Sequence, residues 1–428
     1  MYFKDSSPLR VATRDKATRR AKITAIACAQ LLLAPLATSA EIPLEQAIAQ
    51  AVATAQISEL QDATRRETKS YRQTASALPN PSLFYERETL NSSGTGPDSR
   101  ETTLGIAAPL DFIWKRGARV EAAEFRGEFA TLQIEDQQRH LTREVASLFA
   151  AHAANLLESE RHESAHVALD RAKAVAKASV EAGDAPPTLL QRVDLAIARH
   201  AFEETRIQTE LLAIETRFSA LLADREAVPD SKGLTLSSTP FGNVSQAEQS
   251  ALENRPDLKA AQALFAWKRS EQKAARREGF PDVSLEAAQK EDNSGRDGVF
   301  LGLSVELPIF ERNQGASNIA QAETMRAEVQ QAQARRLVQG EARAAFIRWQ
   351  KLQENWTNLN QGDKATRNAE ALLAATEASF EAGESSLLEY LDTVEAYLET
   401  AEQEIELQKA LRLASIELAH VTATPIKN

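Results

Sequence analysis

Cysteine is nearly absent from this chain of 428 residues, and its single copy, Cys28, lies near the N-terminus. Residues 1–22 carry seven Lys or Arg against two acids, and a mostly apolar run of about 14 residues then leads to a small-residue stretch that ends at Ala40. This order is typical of a secretory signal peptide and predicts cleavage before Glu41. The apolar run is too short for a transmembrane helix, which needs about 20 residues.

The predicted mature chain contains no cysteine, which excludes disulfides, thiolate metal sites and cysteine nucleophiles. Residues 25–28 faintly resemble a lipoprotein cleavage box, but the apolar run continues beyond the cysteine, so the sequence leaves acylation of Cys28 open. Removing residues 1–40, which carry 7 − 2 = +5, changes the formal net charge from −11 to −16. An acidic exported chain is a poor candidate for nucleic-acid binding, so we expect no such partner. No residue pattern points to a cofactor.

Proline is missing from two long stretches, residues 115–181 and 315–381, and glycine is rare in both. Each stretch has 67 residues, which as a helix would extend about 100 Å at 1.5 Å per residue. An alanine-rich helix of that length cannot bury its apolar stripe in a small globule. It needs neighbouring helices, so we expect a bundle or a tube.

Several motifs occur twice, in the same order and about 200 residues apart. Glu-Ala-Gly at 181–183 returns at 381–383, and Leu-Leu followed four residues later by Asp at 189–194 returns at 387–392. The repetition predicts a duplicated unit of helix, strand, loop, strand, very long helix, turn and helix. The predicted organisation begins with a signal peptide (1–40). The first repeat (41–224) contains a hairpin at 82–112, a long helix at 115–181 and a helix at 187–223. After a linker or equatorial segment (225–245), the second repeat (246–428) contains a hairpin at 282–310, a long helix at 315–381 and a helix at 387–423.

Alternation of apolar and polar residues predicts the two hairpins. In the second one, three apolar residues, Val283, Leu285 and Ala287, alternate with Ser284 and Glu286. This period of two suits a strand with an apolar outer face and a polar inner face, although a half-buried hairpin of a soluble protein has the same pattern. Four strands cannot close a membrane barrel, and lipid does not tolerate an open sheet edge. If the hairpins span a membrane, an oligomer must pool strands, and three copies would give twelve.

The chain resembles the TolC-like outer-membrane efflux proteins over essentially all of its predicted mature length. Besides the duplication, the resemblance rests on Leu-Pro-Asn-Pro at 78–81, Pro-Leu-Asp at 109–111 followed by Lys-Arg at 115–116, Asn-Arg-Pro-Asp-Leu at 254–258, Leu-Pro-Ile-Phe-Glu-Arg-Asn-Gln-Gly at 307–315 and the two Glu-Ala-Gly turns. The short polar loops and compact length are most similar to the heavy-metal branch, which includes cobalt-zinc-cadmium and nickel-cobalt resistance proteins.

The resemblance implies an α+β membrane protein that works as a homotrimer. It implies a twelve-stranded β-barrel, four strands per protomer, embedded in outer-membrane lipid and continued by a long α-helical barrel across the periplasm. The implied function is export of nickel, cobalt, zinc or cadmium cations, without enzymatic activity. The implied partners are a periplasmic adaptor (membrane fusion) protein and a proton-driven inner-membrane pump of the resistance-nodulation-division type. The alternatives are a multidrug or type I secretion exit duct of the same fold and a periplasmic coiled-coil structural or adaptor protein.

The same resemblance assigns roles to the two helix turns. In relatives the turns meet the adaptor, and the residues here that match are Gly183, Leu189, Leu190, Asp194, Gly383, Leu387 and Leu388. The four leucines could equally pack each hairpin. Glu389 and Asp392 match two acids that ring the periplasmic aperture, so three copies would place six carboxylates around a gate. Two solvated helix acids are the alternative, and Ser385 stands where some relatives carry a basic partner for the gate.

One short pattern resembles a zinc-protease motif. His162 and His166 flank Glu163 with the spacing of two zinc ligands and a general base, and Asp170 could supply a third ligand. A catalytic zinc needs a dry cleft, which a charged, exposed helix does not provide. We therefore expect a solvated helix face here, with His162 and His166 as weak metal candidates. The other four histidines, at positions 140, 152, 200 and 420, are expected to be scattered.

Overall fold

The computed structural model of the chain describes residues 40–91, 98–231, 233–234, 236, 239–359 and 365–426. Its elements are β1 (Ala40–Ile42), α1 (Leu44–Thr54), α2 (Ile57–Ser76), β2 (Ser82–Leu90), β3 (Ser99–Pro109), α3 (Phe112–Ala182), α4 (Pro187–Leu222), β4 (Ala227–Pro229), α5 (Val244–Asn254), α6 (Pro256–Glu278), β5 (Asp282–Asp292), β6 (Asp297–Glu306), α7 (Gln314–Leu359), α8 (Ala365–Glu381) and α9 (Leu387–Val421). The predicted signal peptide, with Cys28, and most of the loop between β2 and β3 lie outside the described residues.

The long helices form as the proline-free stretches predict. Helix α3 has 71 residues, which corresponds to about 106 Å, and it begins three residues earlier than predicted. The second stretch is helical on both sides of residues 360–364, which lie outside the described part of the chain. Pro256 separates α5 from α6, because a proline has no N–H to donate and is accommodated in the first turn of a helix.

The helix that was predicted to begin the first repeat is two helices in the structure. It is broken into α1 and α2 by Gln56, which has a left-handed backbone with φ of 52°. The break changes the direction of the chain, so that Ala47 and Ala51 of α1 and Ile57 of α2 are all buried. Burial of these side chains offsets the local backbone strain, and no glycine or proline marks the position.

Four strands form one antiparallel sheet in the order β2-β3-β5-β6. The register aligns one apolar row across all four strands, consisting of Leu83, Ile106, Ala287 and Leu301. Leu83 and Leu301 are each 74% exposed, so this face is apolar and uncovered within one chain. Neighbouring positions on the other face are largely polar, for example Glu86 paired with Thr103 and Thr103 paired with Lys290.

Both hairpins end earlier than predicted. Strand β3 stops at Pro109 rather than at residue 112, and β6 stops at Glu306 rather than at residue 310. Pro308 has no backbone N–H, so the ladder cannot continue through it, and α3 already begins at Phe112.

Part of the predicted linker is ordered structure. Strand β4, at the start of the 225–245 segment, pairs in parallel with β1, and Glu41 lies opposite Val228. The two short strands join a core that contains Val145 of α3, Phe218 of α4 and Ile416 of α9. In this core the N-terminal strand, the linker and the last helix pack against one another at one level of the bundle.

None of the described helices has an apolar stretch long enough to cross a membrane.

Candidate functional site

Two helix turns carry the candidate tip residues, and both turns have the same backbone. Gly183, between α3 and α4, has φ of 81°, and Gly383, between α8 and α9, has φ of 76°. At each turn the glycine N–H donates three residues back, to Val180 or Phe380, and the next N–H donates five residues back. This is the Schellman arrangement, so both glycines cap the C-terminus of a helix, and only glycine adopts this conformation without cost.

Three of the four tip leucines pack inside the protein. Leu387 is 7% exposed, and Leu189 and Leu190 are half-buried against the same apolar cluster. Leu388, by contrast, is 46% exposed. Of the four, only Leu388 is therefore exposed in a single chain.

Glu389 and Asp392 lie in the first two turns of α9 and are both exposed. Their spacing of three residues places them on one face of the helix. The Ser386 hydroxyl accepts the N–H of Glu389 at 3.2 Å and so fixes the start of the helix. Neither carboxylate has an ion-pair partner among the described residues, whereas Asp194 at the other turn pairs with Lys173 at 2.9 Å. Two uncompensated negative charges therefore stand at the tip of α9.

His162 is not on a solvated helix face, so that prediction is wrong. Its side chain is buried, and its ring stacks on His200 of α4 with centroids 4.8 Å apart and planes 18° apart. The Nδ1 atoms of the two rings are 3.1 Å apart, and Nε2 of His162 lies 2.9 Å from Oε1 of Glu402 on α9. The helices α4 and α9 pack over this part of α3, which removes His162 from water.

His166 lies one turn further along α3 and contacts the same cluster. Its ring stacks on His200 at 5.7 Å, and Nε2 of His200 lies 3.3 Å from Oε1 of Glu204. The potential ligand atoms of His166, His200 and Glu204 lie within 4.8 Å of one another. Asp170 stays at 3.7 Å from His166, on the outer side.

Electrostatics at the cluster favour an uncharged His200 and a charged Glu402. Burial lowers the pKa of His200, and the neighbouring His162 lowers it further. The hydrogen bond from His162 lowers the pKa of Glu402, although its burial acts in the opposite direction. A neutral imidazole beside ionised carboxylates is the protonation state that metal ligation requires.

The zinc-protease pattern is not assembled. Glu163 is exposed. Both ring nitrogens of His162 already contact other side chains, namely His200 and Glu402. His162 and His166 therefore do not act as a pair of metal ligands, as the motif requires.

Sequence reasoning missed His200, Glu204 and Glu402 because it treated α3 alone. A signal was present: His166 and His200 are equally far from the turn at Gly183, since 183 − 166 = 17 and 200 − 183 = 17. An antiparallel helix pair places such residues near the same level. His420, also expected to be isolated, lies 4.8 Å from His140 between ring centroids.

Comparisons with known proteins give a consistent answer. Residues 247–424 match the sequence pattern of the family described as outer membrane efflux protein. The chain is 25% identical over 245 residues to the cobalt-zinc-cadmium resistance protein CzcC of Cupriavidus metallidurans, covering 56% of this chain and 57% of that protein. It is 23% identical over 319 residues to the nickel-cobalt-cadmium resistance protein NccC of Alcaligenes xylosoxydans xylosoxydans, covering 73% of this chain and 71% of that protein.

The fold is shared with solved outer-membrane channels. The structure of the outer-membrane channel OprN superimposes with a TM-score of 0.72 and 18% identity, over 89% of this chain and 90% of that one. The sequence match, the heavy-metal-resistance relatives and the fold agree with the motifs of the repeats and turns. Residues 247–424 therefore match the outer membrane efflux protein family, and 89% of the chain shares the fold of an outer-membrane channel.

Proposed function

We propose that this protein is the outer-membrane channel of a proton-driven tripartite system that exports heavy-metal cations of the nickel, cobalt, zinc or cadmium class. The observation that carries the proposal is one arrangement: a four-stranded sheet with an exposed apolar face is continued by α3, a helix about 106 Å long. That is the length needed to leave the membrane and cross an aqueous compartment. The relatives' names in heavy-metal resistance support the choice of cargo.

We propose a homotrimer because the sheet has two open edges. In the described part of the chain, strands β2 and β6 are each paired on one side only. Lipid does not tolerate unpaired backbone groups, so β6 of one copy would pair with β2 of the next. Three copies of four strands close a barrel of twelve, with the row that includes Leu83 and Leu301 against outer-membrane lipid.

The helices would form the periplasmic tunnel, and the turns at Gly183 and Gly383 would form its far end. We propose that this end contacts a periplasmic adaptor protein and, through it, an inner-membrane pump of the resistance-nodulation-division type. Leu388 is the tip leucine best placed for that contact because it is exposed, whereas Leu387 packs inside.

Glu389 and Asp392 would gate the tunnel. In a trimer they supply six carboxylates at the tip, and the absence of ion-pair partners among the described residues leaves their charge available to passing cations. A ring of carboxylates favours cations and resists close approach of its own members. Closure and cation preference would therefore both depend on this pair.

We also propose that the fold arose by duplication of one structural unit. The two units would be residues 41–224 and 246–428, joined by the segment 225–245 that includes β4, after removal of a signal peptide at 1–40. Two similar units in one chain would give the trimeric tunnel an approximate sixfold character.

A deletion strain tests the cargo. Its growth is compared with that of the parent on nickel, cobalt, zinc, cadmium, copper and silver salts and on dyes and detergents, with re-expression of the chain as control. We expect sensitivity to some of the metal salts only. Sensitivity to dyes and detergents instead would assign the channel to multidrug export, and a secretion defect without either would assign it to a type I duct.

Fractionation tests the assembly separately. We expect a heat-modifiable trimer in the outer-membrane fraction. A monomer in the periplasmic extract would contradict the barrel and favour a periplasmic coiled-coil protein.

A further inference from the structure

A chain of hydrogen bonds sets the positions of the protons in the buried histidine cluster. A carboxylate only accepts, so His162 donates from Nε2 to Glu402 at 2.9 Å. A neutral His162 then carries a lone pair on Nδ1, which accepts the Nδ1–H of His200 at 3.1 Å. A neutral His200 is left with a lone pair on Nε2. The carboxylate on α9 thus determines the tautomer of a ring on α4.

The lone pair of His200 faces a carboxylate. Its Nε2 lies 3.3 Å from Oε1 of Glu204, one turn further along α4, and it has no hydrogen bond to any described residue. Two lone pairs at this distance repel each other unless a cation lies between them. Two donors of a tetrahedral zinc site with bonds of about 2.0–2.1 Å are themselves roughly 3.3 Å apart. The pair is therefore spaced as two ligands of one ion.

His166 offers a third donor. Its Nδ1 is buried and has no hydrogen-bond partner within the described part of the chain. The candidate ligand atoms of His166, His200 and Glu204 all lie within 4.8 Å of one another, so small side-chain rotations bring them together. The side chains of His166 and Glu204 are 40% and 29% exposed, which gives an ion access from solvent.

We propose that His166, His200 and Glu204 bind one divalent transition-metal ion of the zinc, cobalt or nickel type, with water as the fourth ligand. Imidazole nitrogen with carboxylate oxygen suits these ions, and the predicted mature chain has no thiolate that would select softer ones. Glu402 and His162 act as positioning residues that hold His200 in the ligating tautomer. The site lies within a single chain, so it does not depend on the proposed efflux function.

Titration of the full chain in detergent, without a polyhistidine tag, with CoCl2 tests the site. The d–d absorption of bound Co2+ reports coordination, and calorimetry with ZnCl2 reports stoichiometry. We expect one ion per chain, loss of binding in His200→Gln and in His166→Ala, and loss of the cobalt band in Glu204→Gln. His140→Gln is the matched control, because His140 is half exposed on the same helix and should leave binding unchanged.

Glu402→Gln separates positioning from ligation. If Glu402 is a positioning residue, its replacement should lower the affinity for the ion by about 10–100-fold, and the stoichiometry should stay at one ion per chain. Glu204→Gln keeps the test valid if His200→Gln fails to fold, since Glu204 is partly exposed. No Co2+ or Zn2+ bound by the parent chain, or unchanged affinity in Glu204→Gln, overturns the proposal.

Discussion

The phenol oxygen of Tyr390 on α9 lies 3.4 Å from the carbonyl oxygen of Ala168 on α3. The Tyr390 ring is fully buried and stacks on Phe380 of α8, with centroids 4.9 Å apart and planes 9° apart. One aromatic side chain therefore joins the hairpin that turns at Gly183 to the one that turns at Gly383. The candidate gate acids flank this residue on either side, so packing at Tyr390 holds them in place.

Removing this aromatic ring should destabilise the helical end. Tyr390→Ala should lower the free energy of unfolding by about 3–5 kcal/mol, because it leaves a cavity where a buried ring was. Tyr390→Phe should cost about 1 kcal/mol or less, because the hydrogen bond to Ala168 is long. Thermal unfolding followed by the helical dichroism measures both. Phe202→Ala is the control, since Phe202 is 75% exposed, and equal losses in the Phe and Ala variants would contradict a packing role.

Neutralising the tip acids should open the gate or reduce its charge preference. Glu389→Gln combined with Asp392→Asn removes up to six negative charges from a trimer, so resting conductance in a planar bilayer should rise or cation preference should fall. Glu399→Gln removes an exposed charge on the same face of α9, seven residues further from the tip, and should have a smaller effect. Unchanged conductance and selectivity in the double variant would refute the gate.

The glycine cap at the tip should matter for coupling to partners. Gly383→Val forces a β-branched residue into a backbone with φ of 76°, which costs about 1–2 kcal/mol and displaces the turn. We expect reduced metal resistance in cells with the trimer intact on a non-boiled gel. Gly340→Val is the matched control, since Gly340 lies within α7 with open space around it. Loss of the trimer in Gly383→Val would show that the turn is needed for folding instead.

Buried His420 should make stability fall at acid pH. Burial, together with the nearby Arg139 and Arg143 and His140 on α3 and with Arg255, lowers the pKa of His420 to about 3. In the unfolded chain the pKa is about 6.5, so between these values unfolding takes up a proton. His420 therefore does not reduce the free energy of unfolding above pH ~6.5. Below pH ~6.5 it lowers that free energy by up to about 1.4 kcal/mol for each further drop of one pH unit.

The His420 effect is measured as the thermal midpoint from pH 7.5 down to pH 4.5 for the parent and for His420→Gln. The variant should have a flatter profile over this range, because glutamine takes up no proton. Parallel profiles would show that other groups dominate acid destabilisation. His140→Gln, which removes the exposed ring of the pair, should leave most of the slope in place.

Local patterns identified the elements because helix and strand formation depend on neighbours in sequence. A proline-free stretch predicted α3, an alternating pattern predicted β5 and β6, and two glycines indicated the turns. The hairpin ends were less accurate, since the ladder stops at Pro109 and before Pro308. The break at Gln56 has no local signal, because it results from burying α1 and Ile57 against other helices.

The candidate sites divide in the same way. Glu389 and Asp392 are one helical turn apart, so the sequence alone determined that they share a face of α9. The cluster of His162, His166 and His200 was decided only by tertiary structure. Its members come from two antiparallel helices, and Glu402 comes from a third, 202 residues beyond His200. Packing of whole helix faces, and not any local residue pattern, sets which helix faces which. The sequence therefore predicted a solvated surface where His162 and His200 are buried between packed helices.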